Sequence, residues 1–227
     1  LYPKLNYLIN IFFQSMPIAI AICGYSVAAG IIFTYVGTIG ELAAAGYGAA
    51  TRIEQVVLLP ILGINTAIIS IIAQNYGAKN YSRIKETYYT AIKYSFLIMV
   101  ISGLLIFFSA NIIPKFFSND LEVINYGKRY LKISAFVLPA YPFFFLTNGF
   151  FMALKKSENA MLNNVFRNVL VPIIVFYVAK KLTVDYDNFF WLWVCFQWIV
   201  SITLLAIVNY YLNYKLDKSS SIINPQP

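Results

Sequence analysis

Apolar residues fall in six long runs along the chain, at about 5–36, 42–73, 88–113, 130–154, 161–179 and 189–212. Each can supply the roughly 20 apolar residues that one membrane crossing needs. None alternates apolar and polar positions in the manner of a barrel strand. In lipid the backbone finds hydrogen-bond partners only within itself, so the pattern predicts an all-α, polytopic membrane protein, a bundle of six transmembrane helices. The first two runs exceed a minimal span, which predicts tilt, bending or extension past the hydrocarbon.

The punctuation between runs is polar or glycine-rich. Gly37-Thr38-Ile39-Gly40 separates the first two, and Asn75-Tyr76-Gly77-Ala78-Lys79-Asn80 ends the second, with Gly77 expected to take a positive φ at the helix stop. Lys155-Lys156-Ser157-Glu158-Asn159 divides the fourth run from the fifth, and 180–188 divides the fifth from the sixth. The stretch 114–129 mixes Phe116, Phe117, Leu121 and Ile124 with Asp120, Glu122, Lys128 and Arg129. It reads either as a short amphipathic helix lying at the interface or as a polar loop. Pro60 in the second run, and Pro139 and Pro142 in the fourth, each remove a helix hydrogen bond and are hinge candidates.

Composition agrees with a membrane solvent. Of the 227 residues, 60% are hydrophobic and only 11% charged, too few charges to coat a soluble globule. The net charge of +8 then belongs to juxtamembrane lysine and arginine rather than to a nucleic-acid surface. Lys79, Arg83, Lys85, Lys155, Lys156 and the terminal lysines gather on one side. Lys115, Lys128, Arg129, Lys132, Lys180 and Lys181 gather on the other. The balance favours the first side as cytoplasmic, with both termini there and the chain in a prokaryotic plasma membrane. The chain contains no histidine, which removes histidine-based acid–base and metal chemistry. Cys23 and Cys195 lie inside apolar runs and read as fillers. No phosphate loop, metal cluster or nucleophile–base pair is visible, so neither an enzyme nor a cofactor or metal site is expected.

Polar residues at membrane depth are costly and mark functional candidates. Glu54 is the most informative. At 100° per residue Asn65, eleven positions on, falls within about 20° of Glu54, so a face carrying Glu54, Ile61 and Asn65 could look into an aqueous cavity. The competing reading puts Arg52 and Glu54 at the headgroup end, in water. Gln14 and Tyr25 share a face by the same spacing, and Tyr141 and Asn148 nearly do. These six, Gln14, Tyr25, Glu54, Asn65, Tyr141 and Asn148, are the cavity candidates, against the alternative that they are inter-helix hydrogen-bonding glue. Asn163, Asn164, Arg167 and Asn168 read most simply as a cluster around an arginine snorkelling to the interface.

The run Leu42-Ala43-Ala44-Ala45-Gly46-Tyr47-Gly48-Ala49-Ala50-Thr51-Arg52-Ile53-Glu54, followed by Pro60 and by Ala73-Gln74-Asn75-Tyr76-Gly77-Ala78-Lys79-Asn80, resembles the second-helix region of a repeat in the multidrug and toxic compound extrusion (MATE) family. The run 117–124 and the following Tyr130-Leu131-Lys132-Ile133 resemble that family's link between third and fourth helices. The resemblance implies one lobe, 1–214, of a twelve-helix transporter, with 215–227 as a polar cytoplasmic tail. The tail and the leading Leu1 suit the C-terminal lobe of a longer product, nearest to DinF-like members. It implies export of cationic or amphipathic drugs in exchange for protons or sodium ions. The partners implied are the bilayer, a small-molecule cargo and a missing N-terminal lobe. Sodium-coupled NorM-like members carry acids in the first and fourth helices of that lobe. Here Ile22-Cys23-Gly24 and Thr147-Asn148-Gly149 have none, so the coupling-ion site is not assigned and Glu54 is its candidate. A lipid-linked oligosaccharide flippase, which Arg52 and Arg167 would suit, and a non-transporting membrane subunit are the alternatives.

Overall fold

The computed structural model describes residues 5–182 and 185–216, with the side chains of 5–11, 13, 14, 17, 18, 21, 22, 215 and 216 outside that description. The helices are α1 (Leu5–Ile39), α2 (Glu41–Val57), α3 (Leu59–Gly77), α4 (Tyr81–Ser109), α5 (Leu121–Ser134), α6 (Tyr141–Ala153), α7 (Ser157–Val165), α8 (Val171–Lys181) and α9 (Tyr186–Tyr210). They correspond to the six apolar runs, three of which are interrupted. Among the described residues five stretches are long and apolar enough to cross a membrane, namely Leu59–Gly77, Tyr81–Ser109, Leu121–Ala153, Ser157–Lys181 and Tyr186–Tyr214, with Cys23–Ile39 a shorter apolar helix. The chain is an all-α, multi-pass membrane protein.

Proline sets the interruptions. Pro60 sits in the first turn of α3, immediately after the one-residue break at Leu58. A 3-10 turn, Leu138–Ala140, contains Pro139, and Pro142 opens α6. A π-helical turn, Phe166–Leu170, joins α7 to α8, where Pro172 lies in the first turn. In each case the ring removes a donor and crowds the preceding turn, so the ladder must restart. The Phe136 carbonyl, left outside the helices, is taken up by the Trp198 indole N–H at 2.9 Å.

Two sequence expectations change. Gly77 stays helical, and the positive φ falls at Lys79 (58°), matched by Lys155 (57°) at the end of α6. At both stops the chain closes with the same pair of backbone bonds. Lys79 and Asn80 donate to Tyr76 and Asn75 at 3.1 and 2.9 Å, and Lys155 and Lys156 donate to Met152 and Phe151 at the same distances. The stretch 114–129 is a loop in its first part and a helix in its second: a 3-10 turn (Ile113–Phe116) and the non-helical 117–120 lead into α5. Asp120 caps α5 by accepting from the backbone of Glu122 and Val123, and α5 buries Gly127, Tyr130, Leu131 and Ser134 against its neighbours. The tail 217–227 lies outside the described residues.

Small residues let the helices close. A Cβ on Gly46 of α2 would lie 2.6 Å from the Val123 carbonyl oxygen of α5, and one on Gly103 of α4 would lie 2.7 Å from the Ala135 carbonyl oxygen. Such backbone approaches are how helices associate where lipid supplies no hydrophobic drive. The rest of the larger core is aromatic. Tyr35 stacks on Phe189 with centroids 4.0 Å apart, and Tyr47 and Tyr130 both pack on Phe190. Large apolar side chains such as Leu105, Phe108, Ile199 and Tyr177 are exposed, as a lipid-facing surface requires.

Candidate functional site

One cluster of polar side chains inside the bundle joins an acid, two tyrosines and an arginine. Glu54, on the inner face of α2, is buried at 7% exposure. The Tyr130 hydroxyl of α5 donates to its Oε2, and the Tyr141 hydroxyl at the start of α6 donates to its Oε1 at 2.5 Å. A carboxylate taken out of water needs such donors, because an unpartnered buried charge costs several kcal/mol. The close α2–α5 approach at Gly46 sets this geometry, since Tyr130 lies one turn beyond Gly127 on the same face of α5.

Arg167 completes the cluster from the opposite wall. It is buried at 4% exposure, so the expectation of a snorkelling arginine is overturned. Arg167 and Asn168 lie within the π turn and both are buried. The guanidinium lies 4.0 Å from the Phe144 ring centroid and 5.1 Å from that of Tyr141. Its Nε donates to Gln197 Oε1 of α9 at 2.6 Å. Tyr141 therefore stands between the acid and the base. Together these groups line a cavity of about 310 Å³. Tyr25, Tyr47, Phe145 and Trp193 form its aromatic walls, and Tyr25 and Phe145 lie parallel with centroids 6.4 Å apart. Of three larger crevices, those of about 580 and 550 Å³ are lined almost wholly by apolar side chains, and that of about 410 Å³ carries only the exposed Arg83–Glu86 pair as charge.

Of the six cavity candidates, Tyr25, Glu54 and Tyr141 line this space together. Asn65 and Asn148 do not. Asn65 packs its side-chain oxygen against Gly149 of α6, buried and unpartnered, and Asn148 accepts from Asn163 at 3.5 Å. They form a second polar contact where α3, α6 and α7 meet. The projected Glu54–Asn65 face is lost because the helix restarts at Leu58, between them. The Gln14 side chain lies outside the described residues. Arg52 is exposed on α2, so the reading that placed both Arg52 and Glu54 in water fails for Glu54. Tyr130 is a cavity residue that sequence reasoning missed, and Arg167 and Asn168, singled out there as an interface cluster, line the cavity instead. The one available signal for Tyr130 was the spacing of Gly127, Tyr130 and Ser134 on one face of a helix with charges on the other. Among the described residues no group of three acids or cysteines could hold a metal ion.

A family model described as MatE matches residues 17–178. The chain belongs to the MatE family. It is similar to the probable multidrug resistance protein YpnP of Bacillus subtilis, with 24% identity over 139 residues, 61% of this chain and 30% of that protein. The multidrug export protein MepA of Staphylococcus haemolyticus is 23% identical over 166 residues, 73% of this chain and 36% of that protein. An FAD transporter of Shewanella oneidensis is 26% identical over 106 residues, 47% of this chain and 24% of that protein. A crystallised MATE protein in complex with MaL6 superposes with TM-score 0.87 at 20% identity, covering 96% of this chain and 49% of that one. A MOP superfamily transporter from Pyrococcus furiosus superposes with TM-score 0.86 at 21% identity, covering 93% and 48%. The likeness to both structures is one of fold. The chain spans about half the length of these solved transporters and about a third of the first two named relatives.

Proposed function

We propose that this chain is one six-helix lobe of a secondary active exporter, moving amphipathic or cationic small molecules out of the cell in exchange for protons or sodium ions. Relatives named for multidrug resistance and export support this reading of the cargo. The observation that carries it is the buried Glu54 carboxylate between two tyrosine hydroxyls in a cavity wall. Such a group can exchange a proton or ion and change the net charge of the cavity as it does so. Restarts at Leu58 and at 135–140 lie next to Glu54 and Tyr141, and Pro60, Pro139 and Pro142 are the hinges at which the lobe bends as the ion binds. The lysines at the α3 and α6 stops put those ends and both termini in the cytoplasm of a prokaryotic inner membrane.

The test uses the intact protein in proteoliposomes, with ethidium efflux followed by fluorescence under an imposed proton or sodium gradient. Gradient-driven movement is expected in the wild type and its loss in Glu54→Gln. Efflux that ignores both gradients, or that Glu54→Gln leaves unchanged, overturns the reading.

A further inference from the structure

The cavity that holds Glu54 also holds a buried arginine, and the exchange of ions at an acid alone does not need one. The charges facing Glu54 can be named element by element. Tyr47 comes from its own helix α2, Tyr130 from α5, Tyr141 from α6 and Arg167 from the π turn, while α1 adds Tyr25 beside the arginine. Among the described lining residues, Glu54 and Arg167 are the charged pair and the rest are neutral. With Glu54 ionised the cavity is therefore neutral overall. When Glu54 carries a proton, Arg167 stands alone with a full positive charge in an apolar, aromatic surround. The guanidinium is held on the Phe144 ring and tied at Nε to Gln197, so it is fixed in place rather than free to leave for water. The amide that holds Nε stands behind the arginine, outside the cavity lining. Burying an arginine where it can meet no counter-charge would be expensive, and a ligand anion supplies one.

The geometry points to Arg167 as the docking point for the acidic group of the cargo, a one- or two-ring aromatic carboxylate, taken up while Glu54 holds a proton. The volume of about 310 Å³ is enough to hold the rings and acid group of such a molecule. The flat walls of Tyr25, Phe145 and Trp193 face the rings. Loading then links one proton to one negative charge, and the loaded cavity is neutral again. This deepens the exporter reading and rests on it for direction, while the binding chemistry stands on the cavity alone.

The test is isothermal titration calorimetry on the intact protein in nanodiscs, with 2-naphthoate and 2-naphthylmethylammonium as probes of one shape and opposite charge. Titrations are run at pH 6 and pH 8, in buffers of different ionisation enthalpy. Naphthoate is expected to bind more tightly than the ammonium probe and to draw about one proton from the buffer in the wild type. Glu54→Gln should bind naphthoate without that proton. Arg167→Gln should weaken naphthoate about tenfold or more, and Arg167→Lys should weaken it less while keeping the fold, which circular dichroism checks. Preference for the ammonium probe, naphthoate binding untouched in both Arg167 variants, or no proton drawn in the wild type each overturns the inference. Gradient-driven ethidium efflux is scored separately. If it persists while the naphthoate results fail, the acidic-cargo inference falls and the exporter stands. If efflux fails while the naphthoate results hold, the reverse is true.

Discussion

Replacing Gly46 with alanine puts a Cβ where α2 and α5 touch backbone to backbone. That atom would lie 2.6 Å from the Val123 carbonyl oxygen, 2.8 Å from Tyr126 Cβ and 2.9 Å from the Gly127 nitrogen. None of these is the end of a flexible side chain, so the helices must part by about 1 Å to reach ordinary contact near 3.5 Å. Overpacking of this kind costs about 1–3 kcal/mol. The same displacement carries Tyr130 away from Glu54 and forfeits a hydrogen bond to a charged group, about 1.5–3 kcal/mol. The better helix propensity of alanine returns about 1 kcal/mol. The net is a loss of about 1.5–5 kcal/mol. Gly63 of α3 supplies the internal comparison, because a Cβ there meets nothing within 4 Å. Gly63→Ala should leave stability unchanged or raise it by about 0.5–1 kcal/mol. Thermal unfolding in one detergent, followed by tryptophan fluorescence and by loss of the monodisperse chromatographic peak, reads both. The reasoning is refuted if Gly46→Ala melts at or above the wild type, or if Gly63→Ala loses as much as Gly46→Ala.

Tyr130→Phe and Tyr141→Phe each remove one donor to Glu54 without changing ring packing, and each should slow gradient-driven efflux about tenfold and cost about 1.5–3 kcal/mol of stability; an unaltered rate in both would separate the tyrosines from coupling. Arg129 pairs with Asp187 at 2.8 Å and lies over the Tyr126 and Tyr186 rings, with both charged side chains partly exposed. Arg129→Ala should cost about 1 kcal/mol or less, and the cost should shrink in high salt when melting is compared at two ionic strengths. Cys23 and Cys195 are free and exposed in the apolar helices α1 and α9. Mass spectrometry should find both labelled by a lipid-soluble maleimide and neither by a charged, membrane-impermeant one; rapid labelling by the charged reagent would place those faces in water.

The all-α, multi-pass nature of the chain could be read from the order of residues alone. Long apolar runs in lipid leave the backbone one solution, and Gly40, Asn80 and Asp120 mark helix starts by local geometry that needs no partner. The prolines announced where ladders would break, and Glu54 announced itself by its cost. What lay beyond reach was which polar residues would meet. Asn65 was projected onto the Glu54 face from an unbroken helix, and a single restart at Leu58 removed it to a different junction. Arg167 read as an interface residue because it stands near the polar start of the fifth run, whereas the packed bundle buries it. Tyr130 seemed to belong to a loop boundary until α5 packed on α2 through Gly46 and Gly127. Local sequence thus determined the elements, since each depends on interactions within a few residues. Only the packed bundle decided the site, because the approach of α2 to α5 and the burial of Arg167 are set by helices far apart along the chain, and a shift of about 1 Å is enough to make or break a hydrogen bond.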